Sequence, residues 1–396
     1  MLLVMKGAVL SIAISRNSCY ILMDVKNRRG KDSQMIIGVP REIKIEEFRV
    51  GITPFGVQDL VQEGHRVLIE TSAGAGSGFP DGDYRKAGSE IVDKKQVFSL
   101  SELVVKVKEP IPQEYELLRE EQALFTYLHL APNRELTEVL LKKKVTGIGY
   151  ETLTKEGTLP LLAPMSEIAG RMAPLMAAHY LQKFKGGSGI LATGASGVKP
   201  AKIVILGAGV VGTNAARVAA NLGMETVVMN KGMERLQKID EMFMGRVETL
   251  PVTFQTIAKE ISDADIIIGA VLVPGARTPI LITRQMLGTM KTGSVIVDVA
   301  VDQGGCIETS RPTTHDDPVY AVDGIIHYCV ANMPGAYPRT STLALTNATL
   351  PYIKIIAAEG IRKAVQTDPI IRSALNTYRG KIVNKALAES LGFTTT

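Results

Sequence analysis

Short apolar runs alternate with segments of helical spacing along most of the chain, and they do so in two successive series. In the first, MIIGV (35–39), VLIE (67–70), LVVKVK (103–108), ALFTYL (123–128) and TGIGY (146–150) are too short for helices and rich in β-branched or aromatic residues. FGVQDLVQEG (55–64) and RELTEVLLKKK (134–144) lie between them and carry apolar residues at helical spacing. The second series is KIVIL (202–206), TVVM (226–229), DIIIGA (265–270), SVIVDV (294–299) and GIIHYC (324–329). Strands that alternate with helices build mostly parallel sheets covered on both faces, so the pattern predicts two open α/β sheets.

A length of 396 residues also exceeds what one ordinary core supports and suits two domains. SEIAGRMAPLMAAHYLQKF (166–184) reads as a helix joining the two series, opened by Ser166, with Glu167 in its first turn. Pro174 inside it predicts a kink or a broken turn. The glycine-rich GGSGILATGASGVKPAK that follows reads as a linker or a cofactor-side loop. TLALTNATLPYIKIIAAEGIRKAV (342–365) returns to helix; having no sheet of its own, it packs back on the first domain or bridges the two. The expected division is residues 35–165 with 336–396 in one domain and 166–335 in the other, with a ligand cleft between them.

Residues 1–34 differ in texture. MLLVMKGAVLSIAIS has the outline of a signal peptide, but Arg16 and Asn17 stand where small cleavage-site residues belong, and the run is too short to span a membrane. We read it as a poorly ordered extension ahead of the strand that begins at Met35. The three cysteines, Cys19, Cys306 and Cys329, show no metal spacing and point to a reducing compartment. The 45 basic and 40 acidic residues are interspersed, and the one dense basic cluster, Lys142-Lys143-Lys144, ends a predicted helix. There it complements the helix dipole as a solvated terminus, which excludes a nucleic-acid patch.

VILGAGVVGTNAARVAANLGMETVVMNKG (204–232) carries the most specific local signal. Gly207, Gly209 and Gly212 fit G-x-G-x-x-G directly between a strand and an Ala-rich helix. The first glycine permits the tight turn, the second lets a pyrophosphate approach the backbone, and the third lets helix and strand pack closely. A dinucleotide phosphate then meets the free N–H groups of the helix N-terminus. At the end of the next strand an acid would bind both ribose hydroxyls and repel a 2′-phosphate. Asn230 stands there instead, followed by Lys231, which weakens selectivity for NAD and leaves NADP open.

Several charged residues fall at strand ends or in loops, where binding groups concentrate. Arg49, in EEFRVGITP, has the fork suited to bidentate capture of a carboxylate. Lys106 and Lys108 alternate on one face of LVVKVK, which means either an anionic partner or a solvated edge. His129 follows LFTYL at the C-terminal end of a strand, where a parallel sheet presents its ligands. In VIVDVAVDQGG, Asp298 lies within a strand as a structural acid, while Asp302 just beyond it is better placed for chemistry.

From Met35 to the C-terminus the chain resembles the alanine dehydrogenase family, which is shared with the soluble NAD-binding part of the proton-translocating transhydrogenase α subunit. GVPREIK, EFRVGITP, KVKEP, TYLHLA, YETL, LLAPMSEIAGR, GAVLVPGART, VDVAVDQGGC, SRPTTHDDPVY, VANMPGAYPRTST and ALTNATLPY carry the resemblance in order. It implies two doubly wound, Rossmann-like domains, the first for substrate and the second for NAD. It further implies Arg49 and Lys108 on the substrate carboxylate, with Lys106 the lesser candidate, His129 as acid/base, and Asp302 assisting at the reacting carbon. Ser166, Val271, Leu272 and Asn332 would line the nicotinamide or ribose side, with Ala208, Val210 and Val211 at the pyrophosphate turn. Asn230, where the family commonly carries Asp, and Pro174 are departures.

The implied activity is reversible, NAD-dependent oxidative deamination of L-alanine to pyruvate and ammonia by a cytoplasmic homo-oligomer, a hexamer, without metal, membrane or nucleic acid. Three rivals are a transhydrogenase-α-like protein without a substrate pocket, a non-catalytic NAD-binding scaffold, and a dehydrogenase of another small amino acid.

Overall fold

The computed structural model describes residues 34–271 and 278–393, together with a small strand pair, Val4–Met5 with Ala8–Val9. The rest of the expected extension 1–34, up to residue 33, lies outside the described residues. Two sheets follow the two sequence series. The first runs 381–382, 375–378, 146–149, 123–126, 103–105, 36–39, 66–70, 90–92 across its width, and its six strands from 146–149 to 90–92 are parallel. The second runs 248–251, 225–230, 202–206, 266–269, 295–298, 325–328, 319–322, with only the last strand antiparallel.

Both sheets are doubly wound. Strand order reverses between 36–39 and 103–105 in the first and between 202–206 and 266–269 in the second. Loops leaving the C-terminal strand ends diverge at such points and open a crevice. Within strand Lys202–Leu206, Ile203 and Ile205 belong to one core cluster and Val204 and Leu206 to the cluster on the opposite face. Such burial, worth about 1.5–3 kcal/mol for each large aliphatic side chain, explains why these strands read as continuous apolar runs.

The tail corrects one expectation. It supplies sheet as well as helix: Leu375–Tyr378 pairs antiparallel with Thr146–Gly149, and Lys381–Ile382 adds the edge. The preceding helix Pro338–Glu359 buries Leu345, Ile353 and Ile356 in the first sheet's core, then stops at Gly360, whose φ of +78° favours glycine. Lys143 likewise donates to the carbonyls of Tyr115 and Leu118 at 2.8 and 2.9 Å, so this member of the basic cluster is not merely solvated.

The joining helix begins earlier than expected, at Ala163 with Pro164 in its first turn, and runs unbroken to Tyr180, so Pro174 ends nothing. Proline at 174 cannot bond the carbonyl of Gly170. At Gly170 this helix meets the N-terminus of the helix Val210–Asn221: a Cβ there would stand 2.3 Å from the Val211 carbonyl oxygen. The glycine-rich stretch is a connector at the far end of the second sheet. Ser188 donates to Gly293 and Ala201 donates to Ala192, both ahead of strand N-termini and away from the cofactor turn. Gly170→Ala should cost about 1–3 kcal/mol, the range for overpacking, and weaken dinucleotide binding by displacing Val211. Denaturant melts and NADH fluorescence titration read the two effects.

Candidate functional site

A cleft of about 880 Å³, partly open to solvent, lies where the C-terminal strand edges of the two sheets face each other. The first sheet contributes Arg49, Lys108, Tyr127 and His129; the second contributes Val211, Val271, Asp302 and Asn332. Met165 and Ser166 of the joining helix close one wall. Lys106, Ala208, Val210, Asn230 and the turn glycines are not among its lining residues. Leu272 lies outside the described residues.

Arg49 differs from its sequence-based expectation. Its guanidinium is buried and already gripped: Nε donates to Glu47 Oε1 at 2.6 Å and Nη2 to Glu47 Oε2 at 2.5 Å. Nη2 also donates to Asn332 Oδ1 at 2.9 Å, and Asn332 Nδ2 returns a bond to Glu47 at 3.2 Å. The fork edge is therefore spent within the protein, and Nη1, 3.0 Å from the Met165 sulfur, is what remains for a ligand. Burial pushes the Glu47 carboxyl up, but the bonds from Arg49 outweigh it and hold it below the usual carboxylate range. Glu47, two residues before Arg49 in EEFR, had no role assigned from sequence; an acid two residues from an arginine was the available signal.

The two lysines separate, because the strand ends at Val105 and both lie beyond it. Lys106 is fully buried between Glu42 at 3.2 Å and Glu114 at 2.8 Å, so the solvated-edge alternative fails for it. Glu42 also accepts the backbone N–H of Val107 at 2.6 Å, locking the segment that aims Lys108 into the cleft. The backbone of Lys108 is held by Glu42 and Thr126, but its Nζ has no hydrogen-bonding or ion-pair partner among the described residues. Burial first, and Arg49 second, push its pKa down, the state of a cation short of an anion.

His129 sits just past strand Ala123–Thr126 with φ at +44°, a left-handed backbone uncommon outside glycine. Its ring stacks on Tyr127 with centroids 6.0 Å apart. Glu151, also without an assigned role in the sequence, accepts the His129 N–H at 2.8 Å and that of Leu128 at 3.1 Å. Asp302 lies in a short 3-10 turn after strand Val295–Asp298. The residue is exposed to the cleft, and partial desolvation of its carboxyl pushes its pKa up to about 6 against the pull of Lys108 and Lys44. Asp298 is structural: it is fully buried and accepts from Ala300 N, Cys306 N and Ser310 Oγ.

The glycine turn has the shape a dinucleotide needs. Gly207 has φ of +111°, and a Cβ on Gly212 would stand 1.7 Å from the Gly207 carbonyl oxygen. A Cβ on Gly209 would meet nothing within 4 Å but Arg235 Nη1, at 3.8 Å, so the space above the turn is open. No side chain caps the helix that starts at Val210, which leaves its first N–H groups available to phosphate. Asn230 ties the turn down: Oδ1 accepts from Ala208 N at 3.1 Å and Nδ2 donates to the Gly232 carbonyl at 2.9 Å. Among the described residues no cluster of His, Cys, Asp and Glu is arranged for a metal, and no helix is long and apolar enough to cross a membrane.

Two family models match in sequence order: the alanine dehydrogenase/PNT N-terminal domain over residues 38–169 and its C-terminal domain over 173–385. The chain belongs to the alanine dehydrogenase/PNT family. It is 52% identical over 360 residues to an alanine dehydrogenase of Halomonas elongata, covering 90% of this chain and 97% of the relative. An alanine dehydrogenase of Bacillus subtilis is also 52% identical, over 361 residues, covering 91% and 95%. A solved structure of an L-alanine dehydrogenase superimposes with a TM-score of 0.88 at 50% identity, covering 90% of this chain and 99% of that one. The family expected from the sequence motifs and the two-sheet α/β fold are thus both found.

The two lysines of this family member should respond oppositely to the same substitution. Lys106→Met leaves Glu42 and Glu114 buried without their cation and should lower unfolding free energy by about 3–5 kcal/mol. Lys108→Met removes an unpaired cation and should leave the denaturation midpoint unchanged or raised, with the loss appearing in substrate KM.

Proposed function

We propose that this cleft carries out the reversible, NAD-dependent oxidative deamination of L-alanine to pyruvate and ammonia. The observation that carries this reading furthest is the unpartnered Lys108 beside the one free edge of Arg49: a buried anion site across the cleft from a dinucleotide turn. A carboxylate there meets two cations, one N–H from Arg49 and the ammonium of Lys108, rather than a bidentate arginine fork. Residues 35–165 with 336–396 form the substrate domain in this scheme, and 166–335 the NAD domain.

The turn Gly207, Ala208, Gly209, Val210, Val211, Gly212 would hold the pyrophosphate and Asn230 the ribose, with Ser166, Val271, Leu272 and Asn332 toward the nicotinamide. NAD+ when bound supplies the acceptor for the hydride on Cα. Arg49 and Lys108 fix the carboxylate so that Cα has one orientation, a proximity effect that accounts for much of such catalysis. His129 takes the proton of the substrate ammonium, which frees the electron pair the imine needs, and then guides water onto that imine. Asp302, facing the same cleft, stabilises the positive charge that develops at nitrogen.

Asn230 bears no charge to repel a 2′-phosphate, while Lys231 is exposed and Arg235 borders Gly209; this supports NAD as working cofactor with reduced discrimination against NADP. Exposed Phe184, Leu191 and Val198 support self-association, for which the family resemblance suggests a hexamer, and we place the enzyme in the cytoplasm with the soluble cofactor pool.

Purified enzyme should reduce NAD+ with L-alanine and oxidise NADH with pyruvate and ammonium, both followed at 340 nm; inactivity in both directions overturns the assignment. Asn230→Asp should raise the NAD-to-NADP ratio of kcat/KM. Asp302 is neutral below a pKa of about 6 and charged above it, so oxidative turnover should fall as pH drops through that value. Asp302→Asn should lower kcat about 100-fold or more across the range with NADH binding retained.

A further inference from the structure

The left-handed backbone at His129 needs an external hold, and the chain supplies one from a distant part of its sequence. Glu151 Oε1 accepts from His129 N at 2.8 Å and from Leu128 N at 3.1 Å, and Oε2 accepts from Leu128 N at 3.1 Å. Two consecutive backbone donors on one carboxylate fix the plane of the turn from which the imidazole projects. A side chain in the left-handed region is disfavoured in isolation, so without this hold the turn relaxes toward ordinary φ and the ring leaves its place over Tyr127.

Glu151 is itself braced. It sits in the short turn Tyr150–Thr152 directly after strand Thr146–Gly149. Gly149 N donates to Ala374 O at 2.7 Å, Thr152 Oγ1 donates to Ala374 O at 3.2 Å, and Asn376 Nδ2 donates to Thr152 Oγ1 at 2.8 Å. Glycine at 149 leaves room for these contacts: a Cβ would stand 2.6 Å from Asn376 Nδ2 and 3.3 Å from Glu151 Oε2 and would push those side chains aside. The brace is thus the start of the C-terminal strand Leu375–Tyr378, which pairs antiparallel with Thr146–Gly149.

We infer that Glu151 is a positioning residue for His129, and that the returning C-terminal strand is retained in the first sheet to hold Glu151 in place. The inference rests on the proposed acid/base role of His129. It makes Glu151 act through backbone geometry, with no contact to substrate or to the imidazole. The role therefore depends on an acceptor oxygen at the right distance more than on negative charge. Glutamine keeps that oxygen at the same reach; aspartate keeps the charge but withdraws the oxygens by one methylene.

Steady-state kinetics of Glu151→Ala, Glu151→Gln, Glu151→Asp and His129→Ala, with NADH affinity by fluorescence and thermal melts on each, separate the possibilities. Glu151→Ala and Glu151→Asp should lower kcat about 100-fold, the scale expected of a catalytic group displaced by about 1 Å, while KM for L-alanine and NADH affinity change less than about threefold. Glu151→Gln should recover kcat to within about tenfold of wild type. Glu151→Ala with near-normal kcat overturns the inference. So does Glu151→Gln as damaged as Glu151→Ala while Glu151→Asp is active, because charge and not geometry then matters. If Glu151→Ala does not fold, the Gln and Asp pair still decides. Turnover surviving in His129→Ala, with the Glu151 variants impaired, contradicts the role of His129 and not the hold on its backbone.

Discussion

A parallel sheet delivers all its strand-ending loops to one edge, and in this chain two such edges face each other. Apart from Ser166 on the joining helix, the groups proposed to bind or react follow directly from that constraint. Arg49, Lys108, His129 and Glu151 come after strands 36–39, 103–105, 123–126 and 146–149 of the first sheet. The glycine turn, Val271, Asp302 and Asn332 come after strands 202–206, 266–269, 295–298 and 325–328 of the second. The proposed chemistry is distributed among these strand ends, with Asn230 at the end of strand 225–230 as well, and no single segment carries it.

The two edges are joined by polar contacts that also tune the site. Asn332 of the second sheet shares its amide between Arg49 and Glu47 of the first. Glu46, with φ of +60°, accepts the backbone N–H groups of His315 and Asp316 at 3.1 and 3.0 Å. Neutralising Arg49 with Glu47 removes one of the two charges a substrate carboxylate would otherwise face, and Lys108 supplies the unbalanced one. A partly buried cation whose pKa burial lowers is costly alone and favourable once an anion arrives, so under the proposed function affinity for a carboxylate would be set up before binding.

Much of this was legible in the sequence because its causes are local. Each of the ten strands read from apolar runs is present, since fully buried parallel strands have to be continuously apolar. The glycines at 207, 209 and 212 were legible because each answers a backbone demand that only a missing Cβ meets. What escaped depends on distant partners. Leu375–Tyr378 reads as LNTY, with polar positions that gain their reason only from Thr146–Gly149 beside them. Strand 90–92 is shorter still, 248–251 reads ETLP at one edge of the second sheet, and 319–322 is a partly exposed antiparallel strand at the other edge. Arg49 was found as a cation but not as one already gripped by Glu47, and Pro174 suggested a break that tertiary packing at Gly170 absorbs. Lys106 and Lys108 look alike in KVK, and only Glu42 and Glu114, placed by other loops, tell them apart.

A crystal structure of the enzyme with NADH and oxamate, an unreactive analogue of pyruvate, tests the central claim most directly. The expected result has the dinucleotide pyrophosphate on the turn 207–212, the oxamate carboxylate within hydrogen-bond distance of Lys108 Nζ and Arg49 Nη1, and the Arg49–Glu47 pair intact. Oxamate bound away from both cations, or a dinucleotide bound elsewhere than the glycine turn, would contradict it.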